Sequence, residues 1–302
     1  MTALVTASGN YRATAASSID RAIRLSTAAT VLAVAAIAHR TADDRLIHAS
    51  YTTGRRSRRG MASDNLPVLI VGDVHGDLER LFEALKPYPA DLWHTVFVGD
   101  LVDYGMFGVG ALRYARDRAN TTVLLGNHEV AMLWALRDSS RIGFWMSAGG
   151  QRHDLDELMR DQALQAWLRE RPALVQLPDA TLVQHCGHDG YSRLIDKNDA
   201  ELINAINSRA RDLLMHAGEA ELWDVLSARN IFDQQPDRLL RWLEATKSRR
   251  VVFGHTPHNN RTPAIYHGGK AINVDGVFSR SHMKYRRHGP IGASVVPLDA
   301  LS

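Results

Sequence analysis

The stretch Val68-Leu69-Ile70-Val71-Gly72-Asp73-Val74-His75-Gly76 joins a run of four β-formers directly to a carboxylate and an imidazole. The arrangement recurs twice, in Gly99-Asp100-Leu101-Val102-Asp103 after residues 95–98 and in Gly126-Asn127-His128-Glu129 after residues 122–125. The first glycines of the three motifs are 27 residues apart, and a helix-like segment follows each motif. This repeat of strand, loop and helix is typical of a doubly wound α/β fold.

Polar side chains at the ends of these strands are expected to share one crevice, because the carboxyl ends of parallel strands meet at the same edge of a sheet. The side chains concerned are Asp73, His75, Asp100 and Asn127. Carboxylate, imidazole and amide groups are ligands for divalent metals, and such a cluster suits two adjacent ions that share one carboxylate. The sequence therefore predicts metal-assisted hydrolysis.

Charge is distributed unevenly along the 302 residues. Residues 1–60 contain nine Arg and three Asp, a formal charge of +6, whereas residues 61–302 contain 27 Lys plus Arg against 30 acids. A nucleic-acid partner is not expected for the second part, because binding to a phosphate backbone normally requires a basic face. The single cysteine, Cys186, excludes an internal disulfide.

Residues 1–60 are rich in Ala, Ser, Thr and Arg, and we interpret them as a disordered or targeting extension ahead of a catalytic domain at 61–302. The apolar run at 25–38 is too short for a membrane span, which needs ~20 residues, but it is compatible with a signal or transit peptide. A cytoplasmic location is the first expectation, and organelle targeting or export is the alternative.

Beyond the repeat, apolar spacing predicts helices at 78–85, 129–136 and 154–170, and a helical block at 195–246. Asp77 is predicted to cap the first of these helices. Further strands are expected at 181–184, 250–253, 271–274 and 293–296. The sheet-forming segments thus come first and last, and the helical insertions between them are the expected place for a cap over the substrate pocket.

Two more histidines directly follow predicted strands: His185, in His185-Cys186-Gly187, and His255, in Gly254-His255-Thr256-Pro257. With these, five signatures occur in order between residues 72 and 257, and the pattern resembles the calcineurin-like metallophosphoesterase superfamily. Within it, the chain is similar to the bacterial-type, serine/threonine phosphatase-like phosphoprotein phosphatases. The resemblance covers residues 66 to about 298 and implies a four-layer fold, with a central β-sandwich flanked by helices.

The resemblance also implies the roles of the motif residues. Asp73 and His75 would hold the first metal, Asp100 would bridge the two, and Asn127, His185 and His255 would hold the second. A hydroxide bridging the metals would attack phosphorus, while His128, oriented by Asp103, would protonate the leaving oxygen. Mn²⁺ is the first expectation for both ions, and Fe or Zn²⁺ are alternatives. Glu129 is expected to support the site, and Cys186 to be a small buried residue.

The sequence departs from the eukaryotic-type pattern at the two arginines that clamp the phosphate, where it has Tyr104 and Leu125. A phenol cannot replace a bidentate guanidinium. Other cations could serve, and we predict that Arg152 and Arg261 bind substrate together with Asn127. The basic stretch Lys284, Arg286 and Arg287 is a further candidate.

Three functions remain compatible with this sequence. The first is hydrolysis of phosphate monoesters, either phosphoserine and phosphothreonine in proteins or a small phosphate ester, and Asp103 with Gly126-Asn127-His128-Glu129 favours it. The second is a nucleotide hydrolase of the diadenosine tetraphosphate type, whose members usually have Gly-Asn-His-Asp and lack the second Asp of the second motif. The third is a metal-retaining binding module without catalysis, suggested by the missing arginines.

Overall fold

The computed structural model describes residues 66–195, 201–282 and 287–301 of the 302-residue chain. The predictions made for residues 1–60, and those for Lys284 and Arg286, lie outside these ranges. Within them the chain forms nine strands and nine α-helices. The strands are β1 Val68–Val71, β2 His94–Phe97, β3 Thr121–Val123, β4 Leu174–Gln176, β5 Thr181–Gln184, β6 Arg250–Phe253, β7 Ala264–Tyr266, β8 Ala271–Asn273 and β9 Val295–Pro297. The helices are α1 Leu78–Leu85, α2 Gly108–Asp117, α3 Asn127–Arg137, α4 Ile142–Ser147, α5 Arg152–Arg160, α6 Gln162–Arg169, α7 Leu202–Met215, α8 Glu219–Leu226 and α9 Pro236–Ala245.

The strands form two sheets. One has the order β3-β2-β1-β9, in which the first three strands are parallel and β9 runs antiparallel beside β1. The other has the order β4-β5-β6-β8-β7, in which β5, β6 and β8 are parallel and the two edge strands are antiparallel. The predicted parallel repeat is thus present in the first sheet, and a second parallel set follows it in the chain.

The two sheets pack face to face. Ile70 and Val96 of the first sheet share one buried cluster with Val183, Val252 and Ile272 of the second. Because successive side chains of a strand point to opposite faces, their neighbours point outward. Those neighbours, which include Leu69, Phe97, Leu182 and Val251, lie in a second cluster with the apolar faces of the helices. The expected α/β fold, a central β-sandwich flanked by helices, is confirmed.

Helix α1 shows how directly the local sequence specified some elements. Its bounds are those predicted from apolar spacing, and the Asp77 side chain accepts a hydrogen bond from the Arg80 backbone N–H (3.3 Å) at the first turn. The single helix expected at 154–170 is wrong, because the chain forms α5 and α6 there. The break falls at Asp161, whose carboxylate caps α6 by accepting from the Leu164 N–H (2.9 Å).

The helical insertions occupy two intervals. Helices α3 to α6 lie between β3 and β4, and α7 to α9 lie between β5 and β6. The residues at 196–200 of the predicted helical block lie outside the described ranges. No helix in the described part of the chain is long and apolar enough to cross a lipid bilayer.

Candidate metal centre and active site

The loops that leave β1, β2 and β6 hold strained backbone at the positions predicted to be functional. His75, Asp100, Asp103 and His255 have positive φ angles of 47°, 52°, 70° and 65°. Such conformations cost on the order of 1–3 kcal/mol for each non-glycine residue. Hydrogen bonds between the loops support these conformations, since the N–H groups of Val74 and His75 both donate to the carbonyl oxygen of Asp100 (2.9 Å each). The loops after β1 and β2 are thereby joined.

Gly99 allows the loops after β2 and β3 to approach each other. Its φ is 107°, and a Cβ atom at this position would lie 2.6 Å from the backbone nitrogen of Gly126. A larger residue would therefore separate Asp100 from Asn127. Gly99, which begins the second motif, is therefore needed for this close approach as well as for its positive φ.

Asp73, His75 and Asp100 lie together, and all three are at least 95% buried. The Nδ1 atom of His75 donates to the carbonyl oxygen of Val102 (3.1 Å), which leaves Nε2, 4.0 Å from Asp73 Oδ2, as the free ring nitrogen. Burial raises the pKa of Asp73 well above its usual range, with Asp275 and Asp100 adding to the effect. Carboxylates this close to one another favour a cation between them.

Asn127, His185 and His255 form a second set that shares Asp100 with the first. Asn127 Oδ1 lies 3.0 Å from His185 Nε2 and 2.8 Å from His255 Nδ1. His185 Nε2 also lies 3.4 Å from Asp100 Oδ2, and its Nδ1 donates to the Val98 carbonyl (3.0 Å). Burial alone would raise the pKa of Asp100, but His185 and the other neighbouring histidines hold it well below the usual value.

The side chains present fit a pair of divalent cations. Asp100 belongs both to the group with Asp73 and His185 and to the group with His75 and His128, in which all ligand atoms lie within 4.8 Å of one another. Among the described residues, His255 Nε2 is buried without a hydrogen-bonding partner. A buried polar atom without a partner is costly unless a ligand satisfies it. The nitrogen and oxygen donor set suits Mn²⁺, Fe or Zn²⁺.

His128 and Asp103 form a buried ion pair beside this cluster. His128 Nδ1 lies 2.7 Å from Asp103 Oδ2, and Trp145 Nε1 donates to both oxygens of the same carboxylate (2.9 and 3.1 Å). Burial would lower the pKa of His128, but Asp100 and Asp103 outweigh it and raise the pKa to about 9. Sequence reasoning paired His128 with Asp103 but assigned no role to Trp145, which lies 42 residues from Asp103 along the chain.

Glu129 holds the backbone of the Asp100 loop. Its Oε2 atom accepts from the N–H groups of Asp100 (2.8 Å) and Gly126 (2.9 Å), and Oε1 accepts from the N–H of Leu101 (2.7 Å). The carboxylate is fully buried and touches backbone on both the second and the third motif. This geometry agrees with the supporting role predicted for Glu129.

Asp275 is a buried acid that the sequence reasoning missed. It lines the same cavity as Asp100 and His255, directly after the segment at 271–274, and its Oδ2 has no partner among the described residues. Burial raises its pKa to about 7, with Asp100 adding to the effect and the hydrogen bond from the Val277 N–H opposing it. The rule that found Asp73 and Asp100, a carboxylate after a strand of β-formers, applies to Asp275 as well.

A cavity of about 290 Å³ opens over the cluster. Among the described residues that line it, Arg229 is the one arginine or lysine. Arg152 and Arg261 do not line this cavity; Arg152 is 58% exposed and pairs with Asp156 one turn further along α5 (3.2 Å). Arg261 is exposed on the loop before β7. The cation at the cavity comes from the segment after α8, which carried no sequence motif.

Cys186 is completely buried, as predicted, and donates its thiol hydrogen to the Leu226 carbonyl. Burial raises the pKa of this thiol well above its usual range. The thiol is thus engaged by the Leu226 carbonyl, and its Sγ lies within 4.8 Å of ring nitrogens of His185 and His255.

Comparison with known proteins agrees with this geometry. The sequence model of the calcineurin-like phosphoesterase family matches residues 66–282. The symmetrical bis(5'-nucleosyl)-tetraphosphatase of Actinobacillus pleuropneumoniae serotype 5b is 35% identical over 126 residues, which are 39% of this chain and 44% of that protein. The enzyme of the same name from Aeromonas hydrophila is 30% identical over 170 residues, 53% of this chain and 47% of that protein. The chain thus spans about half the length of these relatives.

Among solved structures, a cold-active protein-tyrosine phosphatase from a psychrophilic Shewanella species is similar in fold. It superposes with a TM-score of 0.53 at 20% identity, covering 78% of this chain and 81% of that one. At this identity the likeness concerns the arrangement of the two sheets and their helices.

Proposed function

We propose that this chain, which belongs to the calcineurin-like phosphoesterase family, is a hydrolase that cleaves phosphoric ester bonds with two divalent metal ions. The observation that carries the proposal is the His128–Asp103 pair (2.7 Å) directly beside the ligand cluster centred on Asp100. The residues proposed to hold the metals are Asp73, His75 and Asp100 for one, and Asp100, Asn127, His185 and His255 for the other. When bound, two such cations polarise the phosphoryl group and lower the pKa of water.

His128 is proposed as the general acid. Because Nδ1 donates to Asp103, the transferable proton is carried at Nε2, which lies 3.8 Å from Asp100 Oδ2, and His128 lines the cavity. Asp103 favours the charged imidazole, and the two bonds from Trp145 hold the carboxylate in one orientation. A positioned acid of this kind contributes roughly 10²–10⁴-fold to a rate.

Arg229 is proposed to bind the phosphoryl oxygens, in place of Arg152 and Arg261. It lines the cavity and is exposed, and it forms no hydrogen bond or ion pair with any residue of the described ranges. A guanidinium can make two parallel hydrogen bonds to a phosphoryl group. It would therefore supply the clamp that Tyr104 and Leu125 cannot.

The first substrate class we propose is a phosphate monoester, in a protein or in a small molecule. The His128–Asp103 pair supports it, because an alkoxide leaving group requires a proton. The second is a bis(5'-nucleosyl) tetraphosphate, supported by the names of the relatives that match parts of this chain. Symmetrical cleavage of that substrate would give two nucleoside diphosphates.

The test is hydrolysis by the full chain supplied with Mn²⁺, using O-phosphoserine and diadenosine tetraphosphate as substrates. We expect turnover of at least one of them, loss of that turnover with a chelator, and its return when Mn²⁺ is restored. Phosphate released from phosphoserine supports the first class, and ADP as the sole nucleotide product supports the second. Two bound metal ions without turnover of either substrate would contradict the proposal and favour a binding module.

A further inference from the structure

The cavity has an aromatic wall that comes from the helical insertions. Trp223 of α8 lines the cavity, and Phe144 of α4 packs against it, with ring centroids 5.0 Å apart and an interplanar angle of 82°. We propose that Trp223, oriented by Phe144, is a stacking site for a planar aromatic group joined to the scissile phosphate. This inference rests on the proposed function, because it assigns the part of the substrate adjacent to the phosphate.

The environment of Trp223 differs from that of a core tryptophan. The ring is only half-buried, and Phe144 is 37% exposed. Since the two rings meet edge to face, Phe144 sets the orientation of Trp223 without covering both faces of the indole. Over residues 66–195, 201–282 and 287–301, the indole N–H of Trp223 donates no hydrogen bond. A flat apolar face and a polar donor are both available to a ligand.

A neighbouring helix and a strand-end loop hold this aromatic wall in place. Phe144 also contacts Trp134 of α3, with ring centroids 5.9 Å apart. The last turn of α8 is tied to the strand-end loop after β5, because its Leu226 carbonyl accepts from the Cys186 thiol. The position of Trp223 is therefore linked to the loop that carries His185, because Cys186 directly follows His185 in that loop.

A second aromatic side chain, Tyr104, lines the same cavity. The Tyr104 ring stacks on His282, with centroids 4.0 Å apart and an angle of 29° between the rings. Gly149, with φ at 114°, lies so close that a Cβ there would be 2.5 Å from the Tyr104 ring. The Tyr104 ring is thus packed against His282 and against the Gly149 backbone, and the open aromatic face in the lining is that of Trp223. A cavity with one cation and one open indole face suits a phosphate attached to a ring better than a bare alkyl phosphate.

Two kinds of substrate have this chemistry, an aryl ester such as phosphotyrosine and a nucleoside phosphate. Two matched comparisons separate them. The first is KM for O-phosphotyrosine against O-phosphoserine, because kcat also responds to the better leaving group of the aryl ester. The second is inhibition by AMP against ribose 5-phosphate, which differ only in the base. In the native chain we expect at least one aromatic member to be favoured by about 10-fold or more, a typical effect of stacking.

The variant that isolates the wall is Trp223→Leu, which keeps apolar volume but removes the aromatic face. We expect it to abolish the aromatic preference, so that the loss for the aromatic members exceeds the loss for phosphoserine by about 10-fold. Trp223→Phe should retain most of the preference. Trp167→Leu, at a half-buried tryptophan of α6 outside the cavity, is the matched control. Thermal unfolding of each variant identifies one that does not fold, and Phe144→Leu then takes its place.

The outcomes distinguish this inference from the proposed function. No hydrolysis of any phosphoester by the metal-loaded native chain would overturn the function itself. Hydrolysis of phosphoserine with no aromatic preference in either comparison would overturn the stacking site alone. An equal loss for aromatic and aliphatic members in Trp223→Leu would do the same. A preference confined to AMP assigns the wall to a nucleobase, and one confined to phosphotyrosine assigns it to an aryl ester.

Discussion

The two sides of the cavity are built in different ways. On one side, Asp73, Asp100 and Asn127 follow strands, are at least 96% buried, and are held by backbone and side-chain hydrogen bonds. On the other, Trp223 and Arg229 project from the helical insertion, are more exposed, and form no hydrogen bonds through their side chains within the described ranges. The comparison suggests that the strand ends supply the chemistry and the insertion supplies recognition.

Two buried contacts join these sides. Cys186 donates to the carbonyl of Leu226, and His188 Nε2 donates to the carbonyl of Val225 (2.9 Å), so the loop after β5 holds the end of α8. Substitutions on the two sides should have separable effects.

The largest effect is expected on the strand-end side, from Asp100→Asn. Removing the carboxylate shared by both ligand groups should lower kcat by at least about a thousand-fold, because each bound cation supplies several kcal/mol of transition-state stabilisation. Elemental analysis of the purified chain should show fewer than two metal ions. Asp91→Asn, at an exposed acid before β2, is the control. Full activity in Asp100→Asn would mean that chemistry does not depend on this cluster.

The next effect is expected from His128→Asn, which removes the proposed acid but retains the metal ligands. We expect a loss of about 10²–10⁴-fold in kcat on phosphoserine. The loss should be much smaller on p-nitrophenyl phosphate, whose leaving group needs no proton. Metal content should remain unchanged. An equal loss on both substrates would assign His128 to binding and not to proton transfer.

On the insertion side, Arg229→Ala should act mainly through KM. A charge-assisted contact to phosphate contributes about 1.5–3 kcal/mol, so kcat/KM should fall about 10- to 100-fold. Arg152→Ala and Arg261→Ala are the matched comparisons, and each should remain within about two-fold of the native value. Steady-state kinetics on one substrate measures kcat and KM of each variant and checks these expectations. A larger loss in Arg152→Ala or Arg261→Ala would show that this arginine binds the phosphate, as the sequence predicted.

The smallest effect on activity, but a clear one on stability, is expected at the junction of the two sides. Burial lowers the pKa of His188 to about 4 from 6.5, with Asp189, Arg193 and Arg238 as its charged neighbours. The unfolded chain therefore binds a proton that the folded chain excludes, and stability present above pH 6.5 is lost as the pH falls toward 4. From pH 7 to pH 5, His188 alone should lower the free energy of unfolding by about 2 kcal/mol.

Urea unfolding at the two pH values measures this loss. His188→Gln should remove about 2 kcal/mol of the difference between pH 7 and pH 5, whatever its own effect on stability at pH 7. His216→Gln, at an exposed histidine on the surface, should leave the difference unchanged. A native chain with the same pH dependence as His188→Gln would show that His188 is not held neutral.

Prediction from the sequence succeeded where short-range rules decide the structure. Strands β1, β5 and β6 and helix α1 have the predicted bounds, because a run of β-formers or a regular apolar spacing dominates each. The three-residue edge strands β4 and β7 were missed, although each pairs with the strand that directly follows it, because three residues are too few to show an alternating apolar pattern. The break at Asp161 was missed because a single capping side chain outweighed continuous apolar spacing.

The sequence by itself determined where the proposed metal ligands lie, because each is one to four residues beyond a strand and parallel strands end at one edge. Only the tertiary structure decided which groups surround them. The Trp145 bonds to Asp103, the entry of Arg229 and Trp223 into the cavity, and the exclusion of Arg152 all depend on how the insertions pack on the sheets. Such packing joins residues far apart in the chain, and no local pattern encodes it.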